Sequence, residues 1–280
     1  MKTVYNLIGL DREYSHVLSA LREQQRAKKT LPIVVNGLSG GALDAFCYDV
    51  TQNVSSEGRC ALIVLPTESE VGRLCEMLNA EALVARAFNY REPVLYNISA
   101  SHDTDRERLS VLNELLNNRL SAVVTTPMAM LSYTMPPEIL GACSLSLKVG
   151  QSIEIDELCE KLVSLGFAPT ETLDGKGQFS RRGGIVDFFG GGNENPVRIE
   201  FFGDEIDRMG YFDIISQRMT EKLDVVEMLP AREVITDSDA RDRVRKQVEL
   251  LRKKSKNEDA KKLLQNELST IDAGDRKSVV

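Results

Sequence analysis

The sequence predicts an α/β protein in which a parallel-sheet domain is followed by a smaller α+β domain with an antiparallel sheet and by a helical tail. Three observations predict this order. Short apolar runs alternate with helical patterns in the first half, turn residues and strands dominate from about residue 143, and the segment after Asp237 is polar and helical. We therefore expect domains at residues 1–142 and 143–232 and a helical tail at 233–280.

The first domain contains short apolar runs typical of buried strands, and segments with helical spacing separate most of them. Strands are predicted at residues 31–35, 60–65, 83–88, 94–96 and 122–126, and helices at 5–28, 42–50, 68–78 and 103–118. Strands that alternate with helices favour a parallel sheet that is covered on both faces.

The second domain is predicted to begin with a strand at 145–149 and a helix at 155–165 that Gly166 ends. A turn rich in glycine and asparagine separates apolar runs at 185–189 and 197–202, which is typical of a hairpin, and a strand follows at 205–212. In the tail, the apolar stripes are too narrow to anchor a domain alone. Because the chain stops at Val280 without a closing element, we expect it to be part of a longer protein.

The composition is that of a globular protein without catalytic metal chemistry. Of the 280 residues, 42% are hydrophobic and 28% are charged, and the longest apolar runs are strand-sized rather than membrane-spanning. Five widely spaced cysteines without a CxxC pair indicate reduced thiols and a cytoplasmic location. With only two histidines, neither a metal site nor a histidine-based catalytic site is predicted, and no cofactor is expected.

The charge is uneven along the chain and favours a protein partner over duplex DNA. The net charge is -7, divided into +3 for residues 231–280 and -10 for the remainder. General duplex-DNA binding requires a basic surface that displaces counterions. The basic stretch at 241–262 leaves a nucleic-acid-binding fragment open as an alternative, but it also contains acidic residues and lacks stacking aromatics, so a solvated helix is favoured.

Residues 31–44, LPIVVNGLSGGALD, have the order of a phosphate-binding loop: a strand, a glycine-rich turn and a helix start. The functional pattern is G-x-x-x-x-G-K-[ST]. With Gly37 as its first glycine, the second glycine falls on Ala42, the lysine on Leu43 and the hydroxyl on Asp44. Leu43 supplies no positive charge to a phosphate, and Asp44 adds a negative one where a hydroxyl would hold Mg²⁺.

We therefore interpret this loop as a degenerate phosphate loop that keeps its shape without binding nucleotide. Backbone N–H groups at the helix start could still attract an anion weakly. The alternative function is a divergent nucleotide hydrolase, for which the sequence offers no lysine.

Two segments of the second domain carry a family resemblance. Residues 177–189 read GQFSRRGGIVDFF and residues 196–207 read PVRIEFFGDEID. They resemble domain 2 of UvrB and of the bacterial transcription-repair coupling factors, and the match continues through 212–213, 217–218 and 229–233. Residues 1–142 are similar to domain 1a of these families more loosely, and the tail resembles the start of domain 1b.

Two departures favour the coupling factors over UvrB. UvrB has an intact phosphate loop, whereas this chain has Leu43 and Asp44. UvrB also carries a long aromatic hairpin that probes damaged DNA, and residues 90–105 are too short for it. A UvrB-like DNA-binding protein remains the alternative within the resemblance.

The resemblance implies a function and a set of contact residues. In these families domain 2 binds UvrA and so recruits nucleotide excision repair to RNA polymerase stalled at DNA damage. The full-length coupling factor is an ATP-dependent DNA translocase, and its contacts to RNA polymerase and DNA would lie outside this chain. The interface residues map to Arg182, Arg198 and Phe202, and Arg181 is an adjacent candidate.

Strand periodicity gives an independent reason to consider the same segment. Alternate residues of a strand share a face, so Arg198, Glu200 and Phe202 lie together and the three apolar residues between and before them face the core. Arginine and exposed aromatic residues dominate interface hot spots. The alternative is a solvated face with a weak ion pair and a partly covered aromatic.

Overall fold

The computed structural model describes residues 12–27, 31–91, 103–190, 192–193, 195–233 and 238–272. The chain divides into two compact units. Unit 1 consists of Met1–Tyr90 and Val111–Tyr133, and unit 2 consists of Arg91–Ser110 and Thr134–Val280. The helix that begins at Asp103 therefore contributes its first half to unit 2 and its second half to unit 1.

Unit 1 is built from a short parallel sheet and helices. Its elements are α1 (Arg12–Ala27), α2 (Gly41–Ser56), β1 (Ala61–Val64), α3 (Glu68–Ala80), β2 (Ala85–Phe88), the second half of α4 (Asp103–Leu116), β3 (Ala122–Thr125) and α5 (Pro127–Leu131). Strand β3 lies in the centre of the sheet, parallel to β1 on one side and to β2 on the other. The predicted parallel sheet is confirmed for these strands.

Alternate residues of β3 point to opposite faces of the sheet, and helices cover both faces. Ala122 and Val124 pack with buried residues of α2 and α3, whereas Val123 packs with Val111 of α4. Strand β1 is less covered, since 61% of the surface of Leu62 is exposed. The prediction of a sheet covered on both faces therefore holds for the central strand and is wrong for β1.

The strand predicted at residues 31–35 is not formed. These residues lie within the described part of the chain but belong to no sheet, and Leu31 and Val34 are 64% and 78% exposed. An apolar, β-branched run forms a strand only when a neighbouring strand accepts its backbone hydrogen bonds. The strand predicted at 94–96 lies outside the described residues.

Unit 2 contains a sheet that is antiparallel except for one short parallel pair of strands at its edge, and helix residues pack on it. Its elements are the first half of α4, α6 (Pro137–Cys143), β4 (Leu145–Lys148), α7 (Ile155–Ser164), β5 (Ala168–Pro169), β6 (Gln178–Arg182), β7 (Ile185–Phe189), β8 (Val197–Phe202), β9 (Glu205–Phe212), β10 (Met219–Leu223), β11 (Val225–Met228), α8 (Ser238–Lys254) and α9 (Glu258–Asp272). The main sheet has the order β10-β9-β8-β7-β6-β5, and β4 pairs with β11. The predicted hairpin is confirmed, because β7 and β8 pair antiparallel.

One face of the main sheet forms the core of unit 2. Leu158 and Leu162 of α7 are fully buried against a cluster that includes Val186 and Ile199. Gly166 follows α7 with a φ of 88°, a left-handed conformation that glycine adopts without a Cβ clash. Since α7 covers this face, the polar residues of the same strands are directed to the other face.

After residue 237 the described chain consists of α8 and α9, which pack against each other. Leu268 of α9 is buried, whereas Leu263 is 67% exposed. No helix in the described part of the chain is both long enough and apolar enough to cross a membrane.

Candidate protein-interaction face

The strand register of the main sheet places the predicted interface residues on the face opposite α7. Asp187 of β7 pairs with Arg198 of β8. Two residues earlier in β7, Ile185 pairs with Arg182 of β6 on one side and with Glu200 of β8 on the other. Residues two apart in a strand share a face. We call this surface, which holds Arg182, Asp187, Arg198, Glu200 and Phe202, the polar face.

A two-residue turn brings Arg182 onto the polar face beside β7. Gly183 and Gly184 join β6 to β7, and Arg182 pairs directly with Ile185. Gly183 has a φ of 59°, as hairpin turns of this length require. A Cβ on Gly184 would lie 3.3 Å from the carbonyl oxygen of Phe201, so a larger residue would crowd the neighbouring strand.

Asp187 connects the two arginines of the polar face. Its side chain is 1% exposed. Its Oδ1 accepts a hydrogen bond from Arg198 Nε at 2.7 Å, and its Oδ2 accepts one from Arg198 Nη2 at 2.8 Å. The same Oδ2 accepts a bond from Arg182 Nη2 at 2.8 Å. One buried carboxylate is thus shared by two guanidinium groups.

Gln217 binds the same two arginines from the turn between β9 and β10. Its Oε1 accepts hydrogen bonds from Nη2 of Arg182 and from Nη2 of Arg198, both at 2.9 Å. Its backbone carbonyl accepts a third bond, from Arg198 Nη1 at 2.9 Å. We call Arg182, Asp187, Arg198 and Gln217 the arginine cluster.

The two arginines of the cluster differ in exposure. The Arg198 side chain is 10% exposed and stacks 4.3 Å from the ring centroid of Phe212, whereas the Arg182 side chain is 44% exposed. The hydrogen bond to Asp187 raises the pKa of the Arg198 guanidinium above its usual range, against the opposing effect of burial. Phe202, at the far end of β8, is 83% exposed.

Strand alternation assigns Arg198 to the face opposite the core but does not show how far its side chain is covered. The face is correct, but the side chain is covered by Phe212 and Gln217 and bonded to Asp187. Replacing Arg198 removes buried contacts as well as any contact to a partner.

The other two predicted residues have separate partners. Glu200 accepts a hydrogen bond from Arg208 Nε at 2.7 Å, so the ion pair involves β9 and not Arg198. Arg181 forms an ion pair with Asp156 of α7. Because α7 covers the core face, Arg181 lies on the side of the sheet opposite Arg182, as strand alternation predicts.

In the segment that the sequence predicts to be a degenerate phosphate loop, Gly37 and Gly40 have φ values of 85° and 51° before α2 begins. Asp44 accepts two hydrogen bonds from Arg73 of α3, at 2.7 and 2.9 Å. The carboxylate that stands in the position of the Mg²⁺-binding hydroxyl is therefore paired within the chain. Leu43 is 36% exposed.

Sequence reasoning missed Asp187 and Gln217 as members of the site. Asp187 had a recognisable signal, because a lone carboxylate stands within the apolar strand IVDFF and must find a partner when buried. Gln217 had no local signal, since its φ of 58° and its contact with both arginines depend on the turn conformation.

The chain is similar to known proteins of two kinds. Residues 145–234 match the family model of the UvrB interaction domain. The chain is 36% identical over 137 residues to the transcription-repair-coupling factor of Bacillus subtilis (strain 168), covering 49% of the chain and 12% of the relative. It is 32% identical over 144 residues to that of Escherichia coli (strain K12), covering 51% and 12%.

UvrB proteins match over more of the chain. The UvrABC system protein B of Fervidobacterium nodosum is 31% identical over 272 residues, covering 85% of the chain and 41% of the relative. The chain therefore spans 12% of the length of these coupling factors and less than half of this UvrB. The resemblance to both families that the sequence predicts is confirmed.

Proposed function

We propose that this chain is a UvrA-docking module of a transcription-repair coupling factor. The observation that carries the proposal is the match of residues 145–234 to the UvrB interaction domain, because that segment contains the whole arginine cluster and Phe202. In the longer protein, this module would recruit nucleotide excision repair to RNA polymerase stalled at DNA damage. The translocase motor and the contacts to polymerase and DNA would lie in other parts of that protein.

The geometry of the polar face supports docking through Arg182 and Phe202. Phe202 is 83% exposed, and the Arg182 side chain is 44% exposed and held on one side by its bond to Asp187. Aromatic and arginine residues held in place on rigid elements are the usual hot spots of protein interfaces. Arg198 lies beneath Phe212 and Gln217, and its bonds to Asp187 and Gln217 connect β8 to β7 and to the β9–β10 turn.

We further propose that the chain does not hydrolyse ATP. Leu43 provides no positive charge for a phosphate. Asp44 provides a carboxylate rather than a hydroxyl at the Mg²⁺ position, and Arg73 binds that carboxylate. Titration calorimetry with ATP and Mg²⁺ is expected to show no saturable binding. Saturable binding that is lost when Gly37 or Gly40 is replaced would contradict this part of the proposal.

The docking proposal is tested by binding of the purified chain to UvrA, before and after Phe202→Ala. We expect the parent to bind, and the variant to lose about tenfold or more in affinity with an unchanged melting temperature, since the ring is exposed. Ile139→Ala removes another exposed apolar side chain, 48% exposed, from α6 of the same unit and serves as the matched control. A parent chain that does not bind UvrA would overturn the proposed function.

A further inference from the structure

The arginine cluster contains one more positive charge than its own carboxylates balance. Arg182 and Arg198 share the single carboxylate of Asp187, and their second acceptor, Gln217, is a neutral amide. Glu200, on the same face, is bound by Arg208. A buried or half-buried charge is stabilised by a paired opposite charge, so one additional carboxylate would balance the charge of the cluster.

The excess charge resides on Arg182. Arg198 uses all three guanidinium nitrogens: Nε and Nη2 bind Asp187, and Nη1 binds the carbonyl of Gln217. Arg182 uses only Nη2 in its hydrogen bonds to other described residues. Its Nε and Nη1 lie on different edges of the guanidinium, and each can donate a single charge-assisted hydrogen bond to a carboxylate.

Gln217 is held so that its oxygen, and not its nitrogen, faces the arginines. Its Nε2 donates to the carbonyl of Ile214 at 2.7 Å, which orients the amide. Its backbone has a φ of 58°, uncommon for a residue with a side chain, and its N–H donates to the carbonyl of Asp213 at 2.8 Å. Ser216 N–H donates to the Asp213 carboxylate, and this backbone hydrogen bond lowers the pKa of Asp213 below its usual range.

We propose that the arginine cluster is a receptor for a single carboxylate of the UvrA surface, in which Arg182 makes the contact and Asp187 and Gln217 are positioning residues. This inference rests on the proposed function and specifies the chemistry of the partner. The neutrality of Gln217 is the specificity-determining feature, because a carboxylate in its place would balance the second guanidinium from within the chain. The partner residue is then an aspartate or glutamate at the edge of an apolar patch that receives Phe202.

Gln217→Glu is the decisive variant, because it changes the charge of the cluster and nearly preserves its shape. The new carboxylate can accept from both arginines in charge-assisted bonds, which offset the lost donation to Ile214. We expect a melting temperature equal to or above that of the parent, and an affinity for UvrA about tenfold or more lower. A purely structural role for Gln217 would instead make affinity and melting temperature change together in the same direction.

A charge-matched control separates this effect from long-range electrostatics. Gln265→Glu adds the same negative charge to the exposed surface of α9 in unit 2, and its carboxylate can still accept the hydrogen bond that Gln265 receives from Arg252 Nη1. We expect this control to bind UvrA within about twofold of the parent at 150 mM salt, where exposed distant charges are largely screened. Titration calorimetry and thermal unfolding are measured on the same samples.

The possible outcomes distinguish the two proposals. If the parent does not bind UvrA, the docking function fails. If the parent binds and Gln217→Glu binds equally well while folded, docking stands and the single-carboxylate receptor is wrong. If Gln217→Glu does not fold, Gln217→Ala takes its place in a double-mutant cycle with Arg182→Ala. Non-additive losses of affinity then support positioning through Gln217, and additive losses overturn it.

Discussion

Unit 2 contains two groups of arginine and carboxylate side chains that differ in exposure. Arg108 of α4 binds Glu233 through Nε at 2.7 Å and Nη2 at 3.2 Å, and the two side chains are 0% and 2% exposed. In the arginine cluster, two guanidinium groups share Asp187, and exposure rises from 10% at Arg198 to 44% at Arg182. The side chains of the first group are inaccessible to a partner protein, whereas the second group is exposed at Arg182.

This difference shows what separates a stabilising ion pair from a binding site made of the same residue types. A fully buried pair is inaccessible to a ligand and contributes only to the folded state. A cluster with two arginines and one carboxylate can contribute to both folding and recognition. The buried arginine contributes mainly to folding, and the exposed arginine contributes mainly to recognition. Substitutions should therefore divide into those that lower stability, those that lower both stability and affinity, and those that lower affinity alone.

The largest expected effect on stability is that of Arg108→Ala. Removing one partner of a fully buried pair leaves the other charge without compensation, which costs roughly 3–5 kcal/mol. We expect a corresponding fall in the free energy of unfolding of unit 2, measured by denaturant titration. The double replacement Arg108→Met with Glu233→Leu removes both charges and should recover much of the loss. A loss below about 1 kcal/mol for Arg108→Ala would show that Glu233 finds another partner.

Arg198→Ala is expected to have an intermediate effect on stability and to lower affinity as well. Hydrogen bonds to charged groups contribute about 1.5–3 kcal/mol, and Asp187 keeps Arg182 as a partner when Arg198 is removed. The variant should unfold at lower denaturant concentration and bind UvrA more weakly, because Arg182 loses part of its support. Arg198→Lys keeps the charge but not the four hydrogen bonds, and should recover only part of both losses. Unchanged stability of Arg198→Ala would contradict its assignment as a buried anchor.

Arg182→Ala should change affinity with little effect on stability. Its side chain is 44% exposed, so its ion pair with Asp187 contributes at most about 1 kcal/mol to folding. Loss of the contact to a partner carboxylate should lower UvrA affinity by about tenfold or more. Lys161→Ala is the matched control, because Lys161 is a similarly exposed cation, 43% exposed, paired with Glu157 on α7. Equal affinities of Arg182→Ala and the parent would remove Arg182 from the interface.

The sequence predicted the elements around the site better than the environment of its side chains. Alternation along β8 assigned Arg198 and Phe202 to one face, and the glycine-rich turn predicted the hairpin. Periodicity gives the direction of a side chain but not what covers it, and Phe212 and Gln217 reach Arg198 only through the β9–β10 turn. The same limit explains residues 31–35, whose apolar pattern is typical of a strand although no described strand pairs with them.

The smallest expected effect is at the pair formed by Asp44 and Arg73 in unit 1. It is an arginine–carboxylate pair like Arg108–Glu233, but the Arg73 side chain is 55% exposed and that of Asp44 is 13% exposed. Exposed pairs are screened by solvent, so a double-mutant cycle of Asp44→Ala and Arg73→Ala should give a coupling of about 0.2–1 kcal/mol that decreases with salt. A coupling above about 2 kcal/mol would be that of a desolvated pair. It would mean that the degenerate phosphate loop is closed around the two side chains and that this pair, like Arg108–Glu233, is structural.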